Sequence, residues 1–345
     1  MKAFNLFIKK YNIYLLLACI ILLQTVCLTV SFANNKKGYH SDELWSYGFA
    51  CSSEGMNVFS ERDGQTPKNF DKWVSSSVLH DYITIDKSET FDYVSVYQNS
   101  ADDYHPFLYF ILLHFICSIF PGTFSMWYAY VINIIFFIIQ QIFLFKLIRS
   151  LTGNSHWGII GTFFFGLTTG SENILFFLRM YCPATALSVV LFYYLTELYN
   201  KRNDSKISKS LFIKLFITTL AGCLMLHEFI ILAFIAALLY GLYYLFTKHV
   251  KYAFIFGGTM ISSALLSIGI FPSTIPHLFG STGTFGGHVK KYSFMFQFKI
   301  YWSYITNELF GIATSPWHTM TSVYVFYAII IFLFLFIPFC FIFRH

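Results

Sequence analysis

The feature that most limits this chain is a recurrence of apolar runs close to the length that crosses a bilayer. They fall at 13–32, 124–145, 157–177, 183–199, 211–226, 229–246, 252–271 and 323–343. A hydrocarbon core of about 30 Å takes about 20 helical residues to span. No water is present there to pair with N–H and C=O groups, so a crossing segment must be a helix or part of a closed barrel. The runs lack the apolar–polar alternation of a barrel strand. The fold expected is therefore an all-α, polytopic integral membrane protein. Composition agrees: 12% of residues are charged, against about 25% in a soluble domain.

Lysine and arginine set the direction of each crossing. Lys2, Lys9 and Lys10 precede the first run, which is longer than a signal-peptide core and reads as a retained helix. Three further clusters follow: Lys146/Arg149, the run Lys201, Arg202, Lys206, Lys209 and Lys214, and Lys248/Lys251. The positive-inside rule puts all of them in the cytoplasm. Residues 34–104 then form an extracytoplasmic loop between the first two spans. The run 105–121, which ends in Pro121-Gly122, would invert every later basic cluster if it crossed. It is expected to be interfacial or re-entrant. The aromatic stretch 292–312 stays at the outer face. The result is a single membrane domain over 1–345 with about eight spans, both termini in the cytoplasm, and a plasma-membrane location. The net charge of +6 is accounted for by cytoplasmic loops, so nucleic acid is not an expected partner. The seven cysteines have neither disulfide-framework nor zinc spacing.

The 34–104 loop holds twelve of the seventeen acidic residues. Most of them read equally well as solvated charges. Two places differ. Asp42-Glu43 follows the first helix closely, and paired carboxylates at a membrane surface can supply a general base and a metal or sugar ligand. Asp102-Asp103-Tyr104-His105-Pro106 leads into the short apolar run, and His105 is open to three roles: phosphate contact, proton carrier or metal ligand. Further along, Glu172 and Arg179 with Tyr181 interrupt apolar sequence, as does His227-Glu228. Charge in lipid is costly and marks function by default. The plainer readings are a Glu172/Arg179 ion pair and a polar turn at His227-Glu228. The charge-derived topology brings Asp42, Glu43, His105, Glu172, Arg179, His227 and Glu228 to the outer membrane face.

The order Asp42-Glu43, then His105-Pro106-Phe107-Leu108-Tyr109, then Arg179-Met180-Tyr181, then His227 resembles the GT-C superfamily of membrane glycosyltransferases. It is most similar to the branch of protein O-mannosyltransferases and lipid A aminoarabinose transferases. The likeness covers about residues 1–270. One departure is Phe107, where the family motif has a second proline.

The resemblance implies a GT-C-like helical bundle. It also implies transfer of a sugar, with inversion, from a polyprenyl-phosphate carrier to an acceptor outside the membrane. Membrane lipid would surround the carrier's tail. Asp42, with Glu43 beside it, would be the catalytic carboxylate. His105, Arg179, Tyr181, His227, Glu228, Glu172 and Asp103 would line the substrate and phosphate site. A divalent metal on Glu43 or His227 is compatible with the family but not demanded. Two rivals stand beside this reading: a lipid-linked glycan flippase or transporter, and a catalytically inactive relative. Neither the sugar nor the acceptor follows from the sequence.

Overall fold

The computed structural model describes residues 2–59, 73–103, 105–204, 207–279, 293, 295–296 and 298–303, with side chains from residue 12 onward except 56 and 57. Among the described residues every regular element is helical. The first helix, α1, spans Lys2–Asn35. Four short helices follow: α2 (Ser41–Cys51), α3 (Ser76–Ile83), α4 (Tyr93–Asp102) and α5 (Leu108–Ile119). Then come α6 (Met126–Thr152), α7 (Ser155–Phe165), α8 (Thr169–Phe176), α9 (Tyr181–Asn200), α10 (Lys209–Met225), α11 (Phe229–Phe246), α12 (Val250–Ile270) and the short α13 (Thr274–Phe279).

Four of these are long and apolar enough to cross a membrane: residues Asn12–Asn35 of α1, and α6, α11 and α12. α10 has 17 residues, about 26 Å at 1.5 Å per residue. The expected helix 323–343 lies outside the described residues. So does most of the 292–312 stretch.

The run 157–177, expected as one helix, is two. α7 ends at Gly166 and α8 starts from Thr168, whose hydroxyl accepts from Ser171 N at 3.2 Å. Buried Gln24 of α1 stabilises the break by donating to the carbonyls of Thr162 and Phe163, at 3.1 and 2.9 Å. Its carboxamide and that of Gln141 occupy the space a Cβ at residue 166 would need, so a larger residue there would displace both side chains. The break coincides with the polar stretch 168–173, where Thr168 caps the start of α8, and Gln24 braces the end of α7 from another helix.

Three apolar clusters fill the interior. The largest joins the α2–α5 segment to α6, α8 and the start of α9, around Tyr47, Phe49, Tyr109, Phe110 and Phe137. A second lies among α9, α10, α11 and α12, around Leu195, Leu215, Tyr244 and Phe256. A third packs α1 on α6 and α7 through Leu17, Ile21, Phe145 and Ile159.

The α2–α5 segment is also tied down by polar side chains reaching backbone atoms. Tyr47 Oη donates to Ser125 O at 2.6 Å, at the start of α6. Asn99 Nδ2 donates to Phe49 O and Ser52 O, at 3.2 and 2.6 Å, closing the end of α2. His114 of α5 bonds to Ala50 O at 2.5 Å. Tyr97 Oη reaches Ile270 O at 2.9 Å and holds α4 against the end of α12. These bonds satisfy backbone groups at helix ends, which would be costly to bury unpaired.

Candidate functional site

Glu43 fixes where the site forms. Its carboxylate is fully buried and accepts four hydrogen bonds from three donors. Lys36 Nζ lies 2.6 and 2.8 Å from its two oxygens. His40 N donates at 2.8 Å, completing a reciprocal capping box at the start of α2. Leu178 N donates at 2.9 Å from the link between α8 and α9. Asn133 of α6 grips the same link from the other side, donating to Leu175 O and Phe177 O, both at 3.0 Å. Residue 179 therefore comes next to a backbone amide that Glu43 already holds.

Asp42 sits one residue earlier, in the first turn of α2, where the exposed N–H groups favour negative charge. Its Oδ2 meets Arg179 Nη1 at 2.6 Å. Arg179 is 5% exposed, and its Nε has no hydrogen-bond partner. Nη2 faces His105 Nε2 at 3.3 Å. The other nitrogen of His105, Nδ1, bonds to Asp103 Oδ2 at 2.5 Å, which orients the ring. Tyr104 lies outside the described residues.

These groups line a cavity of about 360 Å³ formed by Asp42, Trp45, Phe49, Asp103, His105, Arg179 and Tyr181. Tyr181, half-exposed, carries the Arg179 guanidinium 5.9 Å from its ring centroid and stacks on Phe177 at 5.7 Å. Tyr181 and Phe177 also line a second, more apolar cavity of about 440 Å³ with Gly170, Asn173 and Ile174. A third, of about 400 Å³, lies beyond α2 among Glu54, Asp81, Tyr82, Asp86 and Glu89. Burial, with Asp86, Glu89 and Glu54 nearby, raises the Asp81 carboxyl above its ordinary value. Its lining has no Arg, Lys or His to attract an anion.

The sequence candidates thus divide. Asp42, Asp103, His105, Arg179 and Tyr181 share one cavity. Glu43 holds the frame behind it. Glu172 is elsewhere, accepting from Ser31 Oγ of α1 at 2.6 Å rather than pairing with Arg179. His227 is buried and lies one step out, its ring stacked 4.4 Å from His277. Glu228, exposed at the start of α11, faces the same histidine electrostatically.

His277, Trp45 and Phe49 are not among the candidates read from sequence. For His277 a signal existed: the same charge rule carries the chain outward through 252–271, so residue 277 belongs with the others. The two aromatics carried none, since the chain is 21% aromatic.

A divalent metal does not fit this arrangement. The Glu43 oxygens are occupied by protein donors, and among the described residues no group of three or more His, Cys, Asp or Glu is placed to hold an ion. In comparisons with known proteins, no family model, curated protein or solved structure matches the chain.

Proposed function

We propose that the chain is a GT-C-like glycosyltransferase with about eight spans. It moves a sugar from a polyprenyl-phosphate carrier to an acceptor at the outer membrane face. The observation that carries the reading is the pairing of two adjoining cavities across Tyr181. One presents a buried guanidinium, an imidazole and a carboxylate, and the other is an apolar groove. That is the complement of an amphiphile with an anionic head, and the unpartnered Arg179 Nε adds a donor for that anion.

The chemistry follows from where each group stands. The carrier's phosphate enters beside Arg179 and His105, with its first isoprenoid units along Phe177 and Ile174. Phosphate offers a guanidinium a bidentate partner, so Arg179 turns from Asp42 to the phosphate, and an Asp42 oxygen becomes open to the acceptor hydroxyl. Asp42 takes the hydroxyl proton as the acceptor oxygen bonds to the anomeric carbon. The bond from that carbon to the phosphate oxygen breaks on the opposite face. Its electron pair leaves with the lipid phosphate, whose growing charge Arg179 and His105 stabilise. Attack opposite the leaving group inverts the anomeric centre.

The test is sugar transfer by purified protein from a polyprenyl-phosphate donor. Asp42→Asn keeps size and polarity without a basic oxygen pair, and it is expected to lower turnover about 10²–10⁴-fold. Arg179→Lys keeps the charge but not the fork, and should also be impaired. Near-wild-type turnover in Asp42→Asn removes Asp42 as the base. Near-wild-type turnover in both variants defeats the glycosyltransferase reading of this cavity.

A further inference from the structure

His277 has no role in the reaction as written, yet its place is unusual. It lies on α13, just past α12, and its half-buried ring stacks on buried His227 with centroids 4.4 Å apart and planes 25° from parallel. Its ring centroid is also 6.4 Å from that of His105, the imidazole that faces Arg179. No hydrogen bond within the described residues engages its ring nitrogens. An imidazole with a polar neighbourhood and no protein partner has capacity left for a ligand.

The spacing suits a tetrahedral anion. A phosphate accepting on two sides spans donors up to roughly 8 Å apart, given ordinary N–H···O distances. An anion held at His105 is within reach of His277, whose ring centroid lies 6.4 Å from that of His105. We propose that His277 is a further member of the anion site, binding the carrier's phosphate beside His105 and taking up a proton from solvent as it does so. The identity of the anion rests on the glycosyltransferase reading; the geometry of the imidazoles does not.

The charges around His277 explain why the proton arrives with the ligand. Burial holds its imidazole below the usual histidine range; Glu228 and Asp103 oppose this, and His105 adds to it. His227, from the α10–α11 turn, stacks on His277 and is itself stacked on Phe271 at the end of α12. The empty site therefore keeps His277 neutral near pH 7. A phosphate brings negative charge close by and favours the imidazolium. Anion binding then strengthens as pH falls, until His277 is protonated in the free protein too.

The experiment is calorimetric titration of polyprenyl monophosphate into the full chain in lipid nanodiscs, near neutral pH, in two buffers of different ionisation heat. The difference in heat counts protons. Wild type is expected to take up about one proton per phosphate bound, the linkage signature of a group whose pKa rises on binding. His277→Gln should lose most of that uptake and bind about tenfold to a hundredfold more weakly, the loss of one charge-assisted hydrogen bond. His156→Gln, exposed on α7, should change neither. A pH series on wild type alone guards against a poorly folded variant, because the uptake must vanish at acid pH, where His277 is already charged. Binding without proton uptake at any pH, or unchanged uptake in His277→Gln, overturns the inference and leaves the phosphate site standing. If wild type binds no polyprenyl phosphate at all, both the inference and the functional reading fall.

Discussion

The α2–α5 segment and the α9–α12 helices differ in how each is held. In the first, order comes from directional bonds between side chains and backbone. Tyr47, Asn99, His114 and Glu43 each reach a particular carbonyl or amide far along the chain. In the second, long-range bonds of this kind are fewer, such as Tyr244 Oη donating to Leu198 O at 3.2 Å, and most of the packing is apolar. The outward faces carry Phe234, Leu238, Leu239, Phe254 and Leu265, all strongly exposed. Faces of that kind suit lipid, which competes with a neighbouring helix for apolar contact. The charged groups of the candidate cavity come from the α2–α5 segment and the α8–α9 link. Catalytic geometry needs tight placement, and directional bonds supply it where sliding helix contacts do not.

The sharpest way to break that contrast is Glu43→Ala. It removes the acceptor for Lys36, His40 N and Leu178 N together and leaves Lys36 without its buried partner. The expected loss is about 3–5 kcal/mol, typical of breaking a buried ion pair from one side. Thermal unfolding in detergent would measure it, and buried Cys51 should become reactive to thiol reagents in a background lacking the other cysteines. A variant as stable as wild type would mean that Glu43 is not the tie described here.

A smaller effect is expected at Gly48, whose Cα lies against the Tyr82 ring. A Cβ there would fall 1.9–2.1 Å from Cζ, Cε1 and Oη of that ring. Gly48→Ala must move Tyr82, at about 1–3 kcal/mol by the usual cost of overpacking. The same unfolding measurement reads it, and an unchanged melting temperature would show that the segment yields more easily than its bonding suggests. The smallest change is expected at Leu239, 61% exposed on α11. Leu239→Ala should alter stability by less than about 0.5 kcal/mol, as at other exposed positions. A loss as large as that of Gly48→Ala would mean that α11 has a partner on this face.

The helical, apolar class of the molecule was legible because run length and backbone pairing in lipid leave few alternatives. Where the sequence reading stopped short, the cause was long-range only in part. Gln24 braces the break in 157–177 from another helix, and the local signal for it, Thr168-Thr169-Gly170-Ser171 after Gly166, went unread. The site divides in the same way. Asp42, His105, Arg179 and Tyr181 were readable as polar groups breaking apolar sequence. Glu43 looked equivalent to Asp42 because adjacent carboxylates are indistinguishable until a helix start turns one inward and leaves the other facing the cavity. Glu172 resembled a partner for Arg179 at a separation of seven residues. The α8–α9 link between them is not helical throughout, and Glu172 instead bonds to Ser31.

The three donors around Glu43 also differ in when they become available. Lys36 and His40 lie within seven residues of it, so these donors are local in sequence. Leu178 lies 135 residues downstream. Until the α8–α9 link has been synthesised and docked, the carboxylate lacks its long-range donor and Arg179 is absent from beside Asp42. A nascent chain halted before residue 178 would carry a capped α2 but no assembled site. Completion of the cavity thus waits for the α8–α9 link, whereas the bonds from Tyr47, Asn99 and His114 within the α2–α5 segment need no residue beyond 125.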